Sequence, residues 1–255
     1  MELSKRLQTV AMAVTPGKRI ADVGTDHGYI PIYLVKKGVC PKAYAMDVNK
    51  GPLARAEEHI KQEMLSDRIE TRLSDGLLQL SPEETDTIII AGMGGELICR
   101  ILREASQFLS AGREFILQPQ SEWFKVRHLL HDYGYHIEKE WFLKEDGKYY
   151  VVINSFPVPG ERLEHYLDEF SYTYGACLLR ERNPVLLEYL RKEMEKKKTI
   201  LKQMTGNKRQ SRKNPEQNAA KREQRQKQLE QESSEDMLKA LQTQCATVEK
   251  EKKVI

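Results

Sequence analysis

Between residues 18 and 156 the chain alternates short apolar runs with stretches of helical periodicity, and this alternation constrains the fold more than any other feature of the sequence. Residues 18–24 read as a strand running into a turn at Gly24, and 29–37 as a helix that ends at Gly38. A second strand over 42–48 leads to a helix with Pro52 in its first turn, extending to about residue 65. Strands three and four cover 69–73 and 86–91. The fourth holds Ile88-Ile89-Ile90-Ala91, the continuous apolar run of a strand buried on both faces. A helix over 96–108, a fifth strand over 114–117 and a helix over 122–133 follow. Two strands, 135–143 and 149–156, flank Asp146-Gly147, a hairpin signal. Ahead of them all, Leu3, Leu7, Val10 and Val14 share one helical stripe that stops at Thr15-Pro16-Gly17. Such alternation calls for an α/β fold, a parallel sheet with helices on both faces, because parallel strands need helix-length crossovers.

The character changes at Pro157, Pro159 and Gly160, which set the expected domain boundary: 1–157 and 158–255. Beyond it, Leu186, Tyr189, Leu190, Met194, Ile200, Leu201 and Met204 form one helical seam. Leu229, Met237, Leu241 and Val248 form a sparser one. The pattern is that of an α-helical hairpin, an antiparallel coiled coil, with the polar stretch 206–228 as either its loop or a solvated helical arm. Charge separates the same way. Residues 191–228 carry 14 basic and four acidic side chains, so the net charge of +3 hides an acidic remainder and a strongly basic arm. The apolar share of 40% is low against the roughly 45–50% usual for globular chains, as a tail burying only a narrow seam would make it. No apolar run is long enough to span a bilayer, and the N-terminus lacks a signal-peptide core. Cys40, Cys99, Cys177 and Cys245 are too scattered for a metal site or a disulfide scaffold. A cytoplasmic, metal-free protein off the membrane is expected.

In open α/β sheets ligands bind beyond the carboxyl ends of the strands, where the strand order reverses. The unusual residues of this chain fall there. After the first strand comes Asp22-Val23-Gly24-Thr25-Asp26-His27-Gly28-Tyr29. Gly24 lets the backbone turn beside a ligand and Gly28 opens the next helix. Asp47 ends the second strand, 23 residues after Gly24, a spacing suited to accepting hydrogen bonds from both ribose hydroxyls of a nucleoside cofactor. Ser74-Asp75-Gly76 follows the third strand, where a carboxylate and backbone amides can meet an adenine ring, and Gly92-Met93-Gly94-Gly95 follows the fourth. Asp26 occupies the place of the second glycine of the dinucleotide fingerprint. A carboxylate there would repel a pyrophosphate but suits the sulfonium and ammonium of S-adenosylmethionine. The terminal hairpin agrees: a doubly wound sheet closing with an antiparallel hairpin is the Rossmann-like, seven-stranded plan of class I methyltransferases.

The segment Asp22 to Pro31, with Ala91-Gly92-Met93-Gly94-Gly95 and Leu117-Gln118-Pro119, resembles the motifs of the bacterial tRNA (adenine-22-N1)-methyltransferases. Tyr174-Gly175 and Asn183-Pro184 fit as well, so the resemblance runs along almost the whole chain. It implies S-adenosylmethionine as donor, tRNA as substrate, and a class I domain followed by a coiled coil. It also implies cofactor contacts from Asp22, Gly24, Thr25, His27, Asp47, Val48, Asn49, Asp75, Gly76, Gly92 and Met93. The reaction zone would hold Asp26, Tyr29, Gly92, Gln118 and Pro119. A monomer is expected.

N1 of adenine carries a lone pair and no proton, so methylation there needs alignment and charge stabilisation more than a base. The base must leave its stem to be reached. Tyr29 is the expected aromatic face for it, Gln118 and Pro119 the opposite wall. Asp26 would orient the donor's amino group or accept from the adenine amine, and His27 would shape the loop or meet the phosphate backbone. The [DN]-P-P-[YF] motif of exocyclic-amine methyltransferases is missing after the fourth strand, which argues against N6-methylation and is compatible with a ring nitrogen. The basic residues of 191–228 suit a phosphate backbone, though a solvated helix face is an equal reading. The alternatives are methylation of another RNA base or a small molecule, and a non-catalytic RNA-binding protein. An NAD-dependent oxidoreductase is disfavoured by the missing fingerprint.

Overall fold

A computed structural model of the chain describes residues 2–158 and 168–211, with the backbone alone for 201–211. The chain forms two compact units, Met1–Glu181 and Arg182–Ile255.

In the first unit, α1 (Lys5–Ala13) is capped by the Ser4 hydroxyl, which accepts from the Leu7 amide. It precedes β1 (Ile20–Val23), α2 (Tyr29–Lys36), β2 (Ala43–Asp47), α3 (Lys50–Gln62) and β3 (Ile69–Leu73). A 3-10 turn at Pro82–Glu84 leads to β4 (Thr87–Met93), α4 (Gly95–Glu104) and α5 (Ser106–Ser110). Then come β5 (Glu114–Pro119), α6 (Trp123–Asp132), β6 (Tyr135–Glu145) and β7 (Lys148–Pro157). The helix expected over 96–108 is broken in two at Ala105, and the other elements fall within a few residues of expectation.

The sheet order is β3-β2-β1-β4-β5-β7-β6. Strands β1 to β5 pair in parallel, while β7 runs antiparallel to both β5 and β6. Asp146 and Gly147, at φ 49° and 75°, make the hairpin turn with both central residues left-handed, as a tight two-residue connection requires. Strand order reverses between β1 and β4, so the crevice opens beyond the carboxyl ends of those two strands.

The opposite ends of the strands are held by polar locks. The buried Glu114 carboxylate accepts from the Thr15 hydroxyl at 2.7 Å, the Asn154 amide at 2.9 Å and the Thr87 hydroxyl. Arg19 grips Asp86 with two side-chain bonds of 3.0 and 2.9 Å, and this pairing holds the Asp86 carboxyl at about 2.

The first unit extends past the boundary expected at 157, because α7 (Glu169–Tyr174) and α8 (Ala176–Arg180) belong to it. Arg127 of α6, fully buried, donates to Glu140 of β6 at 2.7 Å and to the Tyr172 and Thr173 carbonyls at 2.8 and 3.1 Å. Gly175 sits at φ +91°, and a Cβ there would lie 2.5 Å from the Glu140 carboxylate. Tyr174-Gly175 is thus the clasp that fastens the two helices. The division at 181/182 follows a buried ion pair, not the proline-glycine punctuation upstream.

In the second unit α9 spans Pro184–Ser211, and the Asn183 side chain caps it by accepting from the Val185 and Leu186 amides at 3.0 and 3.1 Å. The helix passes through Gly206, so the first six residues of the polar stretch are helical. Leu186, Leu187 and Leu190 are buried, while Ile200 is exposed. Lys192, Lys196 and Lys198 each pair with a glutamate of the same helix. The second helix of the expected coiled coil, and residues 212–228 of the basic arm, lie outside the described residues.

Candidate active site at the carboxyl ends of the strands

The loop after β1 is shaped by three left-handed residues, Gly24, His27 and Gly28, at φ 75°, 59° and 69°. The amides of Gly24 and Thr25 both donate to the Met46 carbonyl at 2.8 Å, which turns the chain out of the sheet. A Cβ on Gly24 would overlap the Met93 methyl, so the β1 turn and the β4 end touch here. Asp22 is buried, and burial pushes its carboxyl up to about 6; the Thr25 hydroxyl draws it down and nearby Asp47 adds to the rise. That hydroxyl lies beside Asp22 without meeting hydrogen-bond geometry, and neither Thr25 Oγ1 nor His27 Nδ1, both buried, has a protein partner.

Asp26 stands out from this loop with its side chain 75% exposed, 3.3 Å from His27 Nε2 and 3.9 Å from the Arg55 guanidinium of α3. His27, Tyr29 and His59 lie with near-parallel rings, at centroid separations of 5.1, 5.4 and 5.8 Å. His59 Nδ1 donates to the His27 carbonyl at 3.0 Å, bracing the strained residue from α3. Tyr29 is half-buried and already packed with two imidazoles.

The next two loops adjoin. The Ser74 amide donates to the Asp47 carbonyl at 2.9 Å, and Asp47 Oδ1 accepts from the Asn49 amide at 2.7 Å. The other Asp47 oxygen has no partner among the described residues. Val48 and Leu78 leave apolar surface exposed on these loops. Ser74 Oγ donates to the Gly76 carbonyl at 3.0 Å, and Gly76, at φ +56°, lies so close to Ile101 that a Cβ would be 2.9 Å from it. Asp75 follows Ser74 directly, on the same turn.

At the ends of β4 and β5 the pairing register shifts between Ala91 and Met93, and Gly92 forms the irregularity at φ +81°. The Gly92 amide donates to Gln118 Oε1 at 3.1 Å. Arg6, from α1, donates to the same oxygen at 2.7 Å, while Gln118 Nε2 donates to the Pro119 carbonyl at 3.2 Å. Gly95 approaches the β5–α6 connection so closely that a Cβ would be 2.5 Å from the Ser121 carbonyl oxygen.

The four loops therefore gather the expected Gly24, Thr25, Asp26, His27, Tyr29, Asp47, Asp75, Gly92 and Met93 at one rim. Gln118 and Pro119 are different. Both are buried, so neither forms a wall of an open pocket. Gln118 is a strut that fixes Gly92 and Arg6. Three residues emerge that sequence patterns did not single out: Arg6, Arg55 and His59. Arg6 interrupts the α1 stripe between Leu3 and Leu7, a hint without a direction, since nothing local says which strand ends a helix will face.

The unpartnered Thr25 hydroxyl beside a carboxylate raised to about 6, with an unpartnered His27 Nδ1 on the same loop, suits a ligand that carries hydrogen-bonding and cationic groups. A free Asp47 oxygen near exposed apolar side chains suits a ribose diol and a flat ring. Among the described residues no group of three His, Cys, Asp or Glu is placed to hold a metal ion, and no helix is long and apolar enough to cross a membrane.

A model of the methyltransferase domain family matches residues 3–153. The tRNA (adenine(22)-N(1))-methyltransferase of Bacillus subtilis is 35% identical over 209 residues, 80% of this chain and 87% of its own. The crystal structure of the B. subtilis m1A22 tRNA methyltransferase TrmK matches with a TM-score of 0.80 at 30% identity, covering 96% of this chain and 99% of that one. M. capricolum TrmK, in complex with the natural cofactor product S-adenosyl-homocysteine, matches with a TM-score of 0.76 at 25% identity over 97% and 100%. With its strand order, its glycine turns and the coverage of these relatives, the chain belongs to the tRNA (adenine(22)-N(1))-methyltransferase family of class I methyltransferase domains.

Proposed function

We propose that this protein transfers a methyl group from S-adenosylmethionine to N1 of adenine 22 in tRNA. The observation that carries the reading is the intact rim: Asp22, the Gly24 turn, a carboxylate at Asp47 and the Gly92 irregularity, in a chain of this family. S-adenosylmethionine supplies an electrophilic methyl group when bound. The residues of the chain supply the rest. Gly24 admits the ligand against the backbone. The Thr25 hydroxyl and His27 Nδ1 offer unspent hydrogen-bonding capacity, and the Asp22 carboxylate counters a cation. Asp47 accepts from the ribose hydroxyls, with its geometry set by the Asn49 amide.

Adenine N1 attacks with its own lone pair, so no residue need remove a proton first. Positive charge then builds on the ring and its exocyclic amine. Asp26, exposed and steered by His27 and Arg55, is the carboxylate placed to meet it. Tyr29, half-buried beside His27 and His59, is the aromatic ring at this rim that we assign to the target base. Since no proton removal or Lewis acid is required, we read the enzyme as metal-independent, and as a monomer acting on cytoplasmic tRNA. The basic arm is read as a contact to the phosphate backbone. Incubation with unmodified tRNA and the donor, followed by mass mapping, tests the reading: methyl on N1 of adenine 22 supports it, and methyl at another base or on no RNA refutes it.

A further inference from the structure

The β1–α2 loop holds a left-handed histidine directly before a left-handed glycine, His27 at φ 59° and Gly28 at φ 69°. Gly28 takes that conformation without steric cost, whereas His27 is strained in it. His27 therefore needs an outside hold, and helix α3 supplies one. Ala56 backs Gly28 so closely that a Cβ there would lie 3.3 Å from the Ala56 Cβ. Arg55 Nη2 lies 3.9 Å from the Asp26 carboxylate. His59, one turn further along α3, directs Nδ1 to the His27 carbonyl at 3.0 Å. Its ring lies near-parallel to those of His27 and Tyr29, at 5.4 and 5.8 Å.

These contacts fix the tautomers. A carbonyl oxygen only accepts, so the neutral His59 ring carries its proton on Nδ1 and its lone pair on Nε2. His27 is the reverse. Its Nε2 faces the Asp26 carboxylate at 3.3 Å and holds the proton, which leaves the lone pair on buried Nδ1. The Nδ1–H form is the less common one for a free histidine side chain, so its presence at His59 reports the bond to His27.

The bond matters for what flanks His27. Asp26 precedes it and Tyr29 follows two residues later, so the left-handed turn at His27 sets the direction of both side chains. Without a grip on its carbonyl, His27 is free to relax toward negative φ and to swing both away. We propose that His59 is a positioning residue for methyl transfer: it holds the strained loop so that Asp26 and Tyr29 stay aimed at the acceptor base. The inference rests on the proposed methyl transfer. It gives His59 no contact with cofactor or RNA. Gly24 and Asp47 are fixed by other bonds, to the Met46 carbonyl and the Asn49 amide, so donor binding does not depend on His59.

Two variants separate the hydrogen bond from the ring. His59→Asn keeps an amide donor near the place of Nδ1 and loses the stack; His59→Phe keeps the stack and loses the donor. With donor and tRNA saturating, kcat in His59→Phe falls about three- to tenfold, the worth of one ordinary hydrogen bond. S-adenosylmethionine affinity by calorimetry stays within about twofold of wild type in both variants, and His59→Asn keeps at least about half of the wild-type kcat. Long-range 1H–15N spectra of wild-type protein with 15N-labelled histidine, taken at about pH 8 where the rings are neutral, read the tautomers without any turnover. They show His59 protonated on Nδ1 and His27 on Nε2. Unchanged kcat in His59→Phe, equal losses in the two variants, a loss carried by donor affinity instead of kcat, or His59 protonated on Nε2 overturns the proposal. Wild-type protein that methylates no tRNA defeats the proposed function instead, and the His59 tautomer then decides whether the loop is held as inferred.

Discussion

Asp22→Asn should make the free protein more stable and the cofactor complex weaker. The Asp22 carboxyl is buried and raised from 3.8 to about 6, so at neutral pH the ligand-free fold holds an ionised group where burial opposes charge. A rise of about two units corresponds to about 3 kcal/mol of opposition to the charged form. The sign follows from linkage. Below 3.8 both folded and unfolded states hold the proton and the penalty is absent; it grows as pH rises from 3.8 to about 6 and is complete above that. Asparagine removes the charge at every pH. The gain at pH 7.5 has about 3 kcal/mol as its upper bound, several degrees in Tm for a unit of this size, and it vanishes near pH 4. Cofactor affinity should move oppositely. A cationic ligand favours ionised Asp22, so wild-type affinity for S-adenosylmethionine should fall about tenfold per pH unit below 6. Asp22→Asn should bind weakly throughout, with a flat profile. Thermal denaturation and calorimetry between pH 5 and 7.5 measure both. A variant less stable than wild type at pH 7.5, or wild-type affinity flat down to pH 5, would refute the reasoning.

Gly24→Ala places a Cβ at φ +75° over the Met93 methyl, so it should lose about 1–2 kcal/mol from the left-handed backbone alone, with a further loss that Met93→Ala relieves in the double variant. Denaturant unfolding of the four proteins in that cycle gives the coupling. Gly175→Ala should drive the buried Arg127–Glu140 pair apart, costing about 3 kcal/mol or more and releasing α7 and α8, which limited proteolysis would detect as early cleavage near residue 168. The Arg19–Asp86 pair, with Asp86 depressed to about 2, should contribute stability above the unfolded value of 3.8 and lose it as pH falls toward 2. Asp86→Asn should therefore flatten acid unfolding in that window and lower stability at pH 7.

The sheet was readable because its cues are local. Ile88-Ile89-Ile90, a short β-branched apolar run, reads as a strand covered on both faces, and Asp146-Gly147 takes left-handed angles few other pairs accept. The placement of Gly24, Asp47 and Gly92 at one rim was readable for the same reason: each sits at the end of a strand that could be recognised by itself. What failed to show was non-local. Arg6 reaches Gln118 across 112 positions, and Arg127 reaches Tyr172 across 45. Gln118 looked like a pocket wall because it ends a strand, but two donors arriving from α1 and β4 bury it as a strut. The boundary after Pro157 looked secure because proline and glycine punctuate there, yet a glycine 18 residues further on, Gly175, fastens the next two helices to the first unit.

The most direct test of the central claim is methyl transfer from labelled S-adenosylmethionine to unmodified tRNA, with the labelled nucleotide mapped by mass spectrometry and Asp47→Ala as the control. The expected result is one methyl group on N1 of adenine 22, lost when that adenine is replaced, and at least tenfold lower activity at limiting donor for Asp47→Ala, whose charged acceptor is worth about 1.5–3 kcal/mol. Label on any other nucleotide, or full activity without the Asp47 carboxylate, would contradict it.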